Sequence, residues 1–120
     1  MIGRISSRSA FQTIRQLGRH VRSGPLSCTM MLDSSLTQPH VGYVLGRSYG
    51  NAVHRNRLRR QLREIVKTRE AQMQPGYYVF GASPRARSAR HADLVRAVDG
   101  LLSKLSNSVD VPVVSREGMS

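Results

Sequence analysis

The most concentrated chemistry in this sequence lies in Gly50-Asn51-Ala52-Val53-His54-Arg55-Asn56-Arg57-Leu58-Arg59-Arg60-Gln61-Leu62-Arg63-Glu64-Ile65-Val66-Lys67. Seven basic residues fall between Arg55 and Arg69, and Glu64 is the single acid in that span. On a helix, at about 100° per residue, Leu58, Leu62, Ile65 and Val66 form one stripe. Asn56, Arg59, Arg60, Arg63 and Lys67 gather on the opposite side. Arg57 and Glu64 flank the cationic face, while Arg55 projects closer to the apolar stripe, its stem on the core edge and its guanidinium turned outward. A solvated helix surface usually interleaves both signs. Here like charges at Arg55/Arg59, Arg59/Arg63 and Arg63/Lys67 repel by a few tenths of a kcal/mol each. A stripe that is unfavourable in the free chain calls for a polyanion, and the guanidinium fork matches phosphate oxygens. Asn51 after Gly50 is a suitable helix N-cap, which sets free backbone N–H groups beside the arginines.

The other chemistry-bearing residues do not assemble. A nuclease site needs paired carboxylates for metal ions or histidines placed as acid and base. Asp33, Glu64, Glu70, Asp93, Asp99, Asp110 and Glu117 are scattered, and His20, His40, His54 and His91 read as surface or loop residues. No catalytic site is visible in the protein, and no metal-contacting residue can be named. Cys28 stands alone, which excludes an intramolecular disulfide, and its strand-like surroundings make it a small buried hydrophobe.

Several elements must position the basic segment. Phe11, Ile14 and Leu17 mark a first amphipathic helix from Ser6 to about Arg19, closing near Gly18. Ser23-Gly24-Pro25 breaks the chain before a strand, Leu26–Leu32, and the polar stretch Asp33–Pro39 leads to a second, His40–Arg47. A third strand would come from splitting the Leu26–Leu32 run or from the turn region after it. The long helix is expected from Asn51 to about Gln72, and Pro75-Gly76 ends it before a buried-type strand, Tyr77–Ala82. After an arginine-bearing loop, Ser83–Arg90, a closing helix sets Leu94, Val98, Leu101 and Leu105 on one face, with Val95 and Leu102 beside them. This is an α+β order of helix, strands, helix, strand, helix, with helices layered on one small sheet. Residues 1–107 read as a single domain and 108–120 as a C-terminal tail.

The bulk composition agrees. The chain has 120 residues and a net charge of +12, from 19 Lys and Arg against 7 Asp and Glu, and 17 of the 19 are arginine. One core is comfortable at this length, and the positive field favours nucleic acid or an anionic membrane surface. A membrane partner is disfavoured because the apolar side of the long helix is needed for the core. No apolar run approaches the roughly 20 residues that span a bilayer, and the first residues lack the apolar core of a signal peptide, so a cytoplasmic location is expected. A DNA-binding basic helix is weakened by the same buried stripe and by the lack of a dimerising heptad. A structural RNA-binding protein of ribosomal type shares the charge and the fold type.

The run Gly50-Asn51-Ala52-Val53, then Arg55-Asn56-Arg57, Arg59-Arg60 and Arg63-Glu64, closely resembles the RNR signature of the bacterial ribonuclease P protein subunit family. The likeness extends over about residues 6–105, through Phe11-Gln12, Gly18, Val41-Gly42, the strand after Pro75-Gly76 and the closing helix. It implies a two-layer α/β sandwich similar to one domain of a ribosomal protein. In that fold the long helix joins two parallel strands by a left-handed βαβ crossover, against a rule obeyed in about 98% of cases. It implies a protein that assists a catalytic RNA in removing the 5′ leader of precursor tRNA, with hydrolysis by Mg²⁺ held mainly by the RNA and none bound tightly by the protein alone. Arg55, Asn56, Arg57, Arg59, Arg60, Arg63 and Lys67 would contact the catalytic RNA. A cleft between the first helix and the sheet, with Phe11, Thr29, Tyr43 and Arg47, would hold the leader. The sequence departs from the family pattern at Arg15 and Thr29, where an aromatic and a tyrosine are common, and at Ser48, where a lysine often follows Arg47. Leader contact would then lean on guanidinium stacking and phosphate pairing. Phe11 has two readings from its residue type, an anchor of its helix on the sheet or a platform for a base.

Overall fold

A computed structural model describes residues 2–5, 7–46 and 49–119, with side chains through residue 106. The elements run β1 (Gly3–Arg4), α1 (Arg8–Leu17), β2 (Arg19–Ser23), β3 (Leu26–Leu32), β4 (Pro39–Val44), α2 (Ala52–Lys67), β5 (Gly76–Ala82) and α3 (His91–Met119). The expectation of a tail over residues 108–120 falls outside the residues whose side chains are described.

The strands form one mixed sheet in the order β1-β4-β5-β3-β2. β3 is antiparallel to β2 and β5, while β4 runs parallel to both β1 and β5. α2 thus connects two parallel neighbours, β4 and β5, the pair that the resemblance joins by a crossover. Side chains alternate across the strands. Leu26, Cys28, Met30, Val41, Tyr78 and Phe80 face a core closed by Leu58, Leu62, Ile65 and Val66 of α2 and by Leu94, Val98, Leu101 and Leu105 of α3. Burial of each such side chain contributes about 1.5–3 kcal/mol. Ser27, Thr29, Val79 and Gly81 face the other way, toward α1, whose Ile14 is buried.

Two strands carry no signal in the sequence, and neither comes from the Leu26–Leu32 run or from the turn region that follows it. β2 occupies residues expected to end the first helix and to lead into a breaker. Its Val21 is the single apolar residue in Arg19–Ser23, so it offers no alternation to read. Pairing along β3 from Arg19↔Met30 to Ser23↔Leu26 makes it a strand, and Gly24, at φ +56°, turns the hairpin. Lys104 of α3 donates its Nζ proton to the Arg22 carbonyl at this outer strand. β1 is two residues long, too short for any periodicity. The long helix ends at Lys67 rather than near Gln72. Thr68 caps it, with its N–H donating to Ile65 and Val66 carbonyls, and a separate 3-10 turn covers Glu70–Gln72.

Candidate nucleic-acid interface

The basic segment becomes a helix with one dry face. Asn51 caps α2, its Oδ1 accepting from the His54 N–H at 3.0 Å. Leu58, Leu62, Ile65 and Val66 are all 3% exposed or less. This fixes the rotation of α2 and turns the cations outward. They are not equivalent. Arg55 is tied down, its guanidinium donating to the Gly50 carbonyl at 2.7 Å. Arg59 donates to Asn56 Oδ1 at 2.7 Å, so Asn56 orients a neighbouring cation one turn away. Arg69, just beyond the helix, is held by both carboxylate oxygens of Asp99 at 2.9 and 3.1 Å, and this pair holds the Asp99 carboxyl below its usual range. Arg57, Arg60, Arg63 and Lys67 are exposed.

Arg59, Arg63 and Lys67 recur at helical spacing along one edge of α2 and overhang the edge of β4. With Arg4, Ile5, Phe11, Gly42, Tyr43 and Glu70 they line a slot of about 660 Å³. Arg4 has no mark in the sequence as a member of this slot, because it needs β1 to place it beside β4. The Arg63 guanidinium carbon lies 6.0 Å from the Tyr43 ring centroid, within cation–π range. Tyr43 itself stacks on Phe80, at 5.8 Å between centroids and 23° between planes, and burial pushes its phenol up to about 12 against the opposing effect of Arg63.

That placement corrects one expectation. Tyr43 does not share the α1 side of the sheet with Thr29. It pairs in register with Phe80 and packs on the core beneath α2, so the sheet separates it from Thr29. The period of two along β4 decides this once the register is known, and the sequence alone leaves the register open. Arg47 and Ser48 lie outside the described residues.

On the α1 side, a groove of about 510 Å³ runs between the helix and the sheet. Arg8, Phe11, Gln12, Arg15, His20, Ser27, Thr29, Val44 and Val79 line it among others. Phe11, Arg15 and Thr29 are thus brought together on one groove. The Phe11 ring lies over Gly42, where an added Cβ would stand 2.7 Å from its Cζ. Phe11 borders both the groove and the slot. Among the described residues no three His, Cys, Asp or Glu side chains gather as a metal site, and no helix is long and apolar enough to cross a membrane. Cys28 is fully buried, which pushes its thiol up.

The family model described as Ribonuclease P matches residues 3–106, nearly the whole folded unit. The chain belongs to the ribonuclease P protein component family. It is 36% identical to the ribonuclease P protein component of Streptomyces griseus, over 85% of this chain and 90% of the relative. It is 35% identical to that of Acidothermus cellulolyticus, over 88% and 89%. Two solved structures share the fold at 20% identity. The ribonuclease P protein of Staphylococcus aureus superposes with a TM-score of 0.79 over 85% of this chain and 94% of that one, and the protein from Thermotoga maritima with 0.76 over 84% and 96%. The ribonuclease P family match therefore takes in β1 and β2 as well as the basic helix α2.

Proposed function

We propose that this chain is the protein subunit of a ribonuclease P ribonucleoprotein that acts in the cytoplasm on precursor tRNA. The exposed face of α2 docks on the catalytic RNA, through Arg57, Arg59, Arg60, Arg63 and Lys67, with Arg55 anchored to the Gly50 carbonyl and Asn56 orienting Arg59. The groove beneath α1 receives the single-stranded 5′ leader, with Phe11, Arg15 and Thr29 on its walls, and the family resemblance adds Arg47 and Ser48 as leader contacts. Tyr43 acts from the other side of the sheet, as a support for Arg63. Cleavage is carried by Mg²⁺ held in the RNA, and the protein supplies binding and orientation. Neither DNA nor membrane is a partner.

The observation that supports this most is a row of outward-facing cations on a helix whose opposite face is locked into the core, beside a groove of about 510 Å³ under α1. The basic row suits phosphates of a structured RNA. The groove, with an aromatic ring and guanidinium groups, suits unpaired nucleotides. Adding the chain to the matching catalytic RNA should raise leader cleavage at low Mg²⁺, and Arg59→Ala with Arg60→Ala should remove most of the gain. An unchanged cleavage rate on adding the protein would leave a structural RNA-binding role instead.

A further inference from the structure

The groove holds a second ring besides Phe11, brought there by a strand that has no signature in the sequence. α1 ends at Gly18, whose N–H donates to the Ile14 carbonyl at 2.7 Å. Here the chain presses directly against β3. A Cβ on Gly18 would meet Thr29 Cγ2 at 2.7 Å and the Met30 carbonyl oxygen at 2.9 Å. So close a passage leaves no loop, and β2 begins at the next residue. His20 then falls opposite Thr29 in the antiparallel register. The two side chains meet, His20 Nδ1 to Thr29 Oγ1 at 2.8 Å, and both line the groove under α1.

This hydrogen bond engages one ring nitrogen and restrains the ring, while His20 stays exposed. An exposed imidazole that is held by a neighbour loses less rotamer freedom on binding than a free one. Its face and its Nε2 are left for a ligand in the groove. The flanking groups suit an unpaired nucleotide, since Arg8 and Arg15 on α1 are placed for phosphate oxygens and His20 for a base. Histidine is one of the side chains on which unpaired RNA bases stack.

We propose that His20, oriented by Thr29, is a leader-contacting residue of this chain and stacks on an unpaired base. The proposal rests on the groove being the leader site. In the reconstituted holoenzyme, the affinity for a precursor tRNA with an eight-nucleotide leader is measured against that for the leaderless tRNA. His20→Ala should lower this ratio by about tenfold, the size expected for one base stack. His20→Phe should restore most of it, His20→Gln should not, and Thr29→Ala should give an intermediate loss. Affinity of the protein for the catalytic RNA should stay unchanged in all four. 2-Aminopurine placed in turn at each leader position should be quenched at one site by the wild type and released by His20→Ala. A ratio unchanged in His20→Ala, or equal loss in His20→Phe and His20→Ala, would overturn the stacking role. Failure of the leader-groove reading is separately visible, as a wild-type protein that binds leadered and leaderless tRNA equally.

Discussion

Arginines on and beside α2 that look alike in sequence should differ sharply in their contribution to RNA binding. Arg69 is engaged by both oxygens of Asp99, and the pair presents little net charge to an approaching phosphate. Arg60 and Arg63 are exposed and form no ion pair with an acid among the described residues. The perturbation is therefore Arg60→Ala with Arg63→Ala, set against Arg69→Ala with Asp99→Ala. Removing one phosphate-binding cation lowers the slope of log affinity on log salt by about 0.7–0.9, so the slope of the first variant falls by roughly 1.4–1.8. Its affinity gap to the wild type should then close by roughly seven- to twelvefold between about 50 and 200 mM salt. The second variant removes a cation and the anion that already neutralises it, and its slope should match the wild type. Filter binding of labelled catalytic RNA over a salt series measures both. Equal reductions of slope in the two variants would refute the reasoning, because they would mean that the Asp99 pairing does not withdraw Arg69 from the RNA.

Three further outcomes follow from the same structure. Gly42→Ala drives a methyl group into the Phe11 ring and should cost about 1–3 kcal/mol by urea unfolding. Adding Phe11→Ala should recover part of that loss, and strictly additive effects would remove the close approach from the account. Asp99 has its folded-state pKa lowered by Arg69, so the pair's small stabilisation is present above the ordinary carboxylate pKa and is lost as pH falls through the lower folded value. Asp99→Asn should accordingly flatten the acid limb of a stability–pH curve, by a modest amount for a half-exposed pair. Cys28 is buried with its thiol pushed up. It should label with thiol reagents at the rate of global opening, slowing as stability rises, and fast labelling of the native protein would contradict that burial.

The legible parts of the fold are those with a period. Leu58, Leu62, Ile65 and Val66, and Leu94, Val98, Leu101 and Leu105, are placed by their spacing and are core residues in the structure. β3 is legible at its observed bounds because Leu26, Cys28 and Met30 alternate with Ser27 and Thr29 and the run is flanked by turn residues. β1 and β2 have no such signal, since two residues have no period and Arg-His-Val-Arg-Ser has no apolar alternation. Their existence rests on backbone pairing with β4 and β3. The same gap hides Arg4 and His20, which reach the slot and the groove through those strands.

The sequence by itself determined that one helix carries a dry face and a cationic face, because a period of 3.6 sorts side chains into the two without reference to the rest of the chain. It also carried the family, through a string whose residue types and order are local. Tertiary structure alone decided which cations are free, since Asp99 reaches Arg69 from α3, thirty residues away. It decided as well that Tyr43 and Thr29 lie on opposite faces of the sheet and that His20 meets Thr29. Those facts depend on register, and register is set by pairing between strands distant in the chain, where a shift of one residue sends every side chain to the other face.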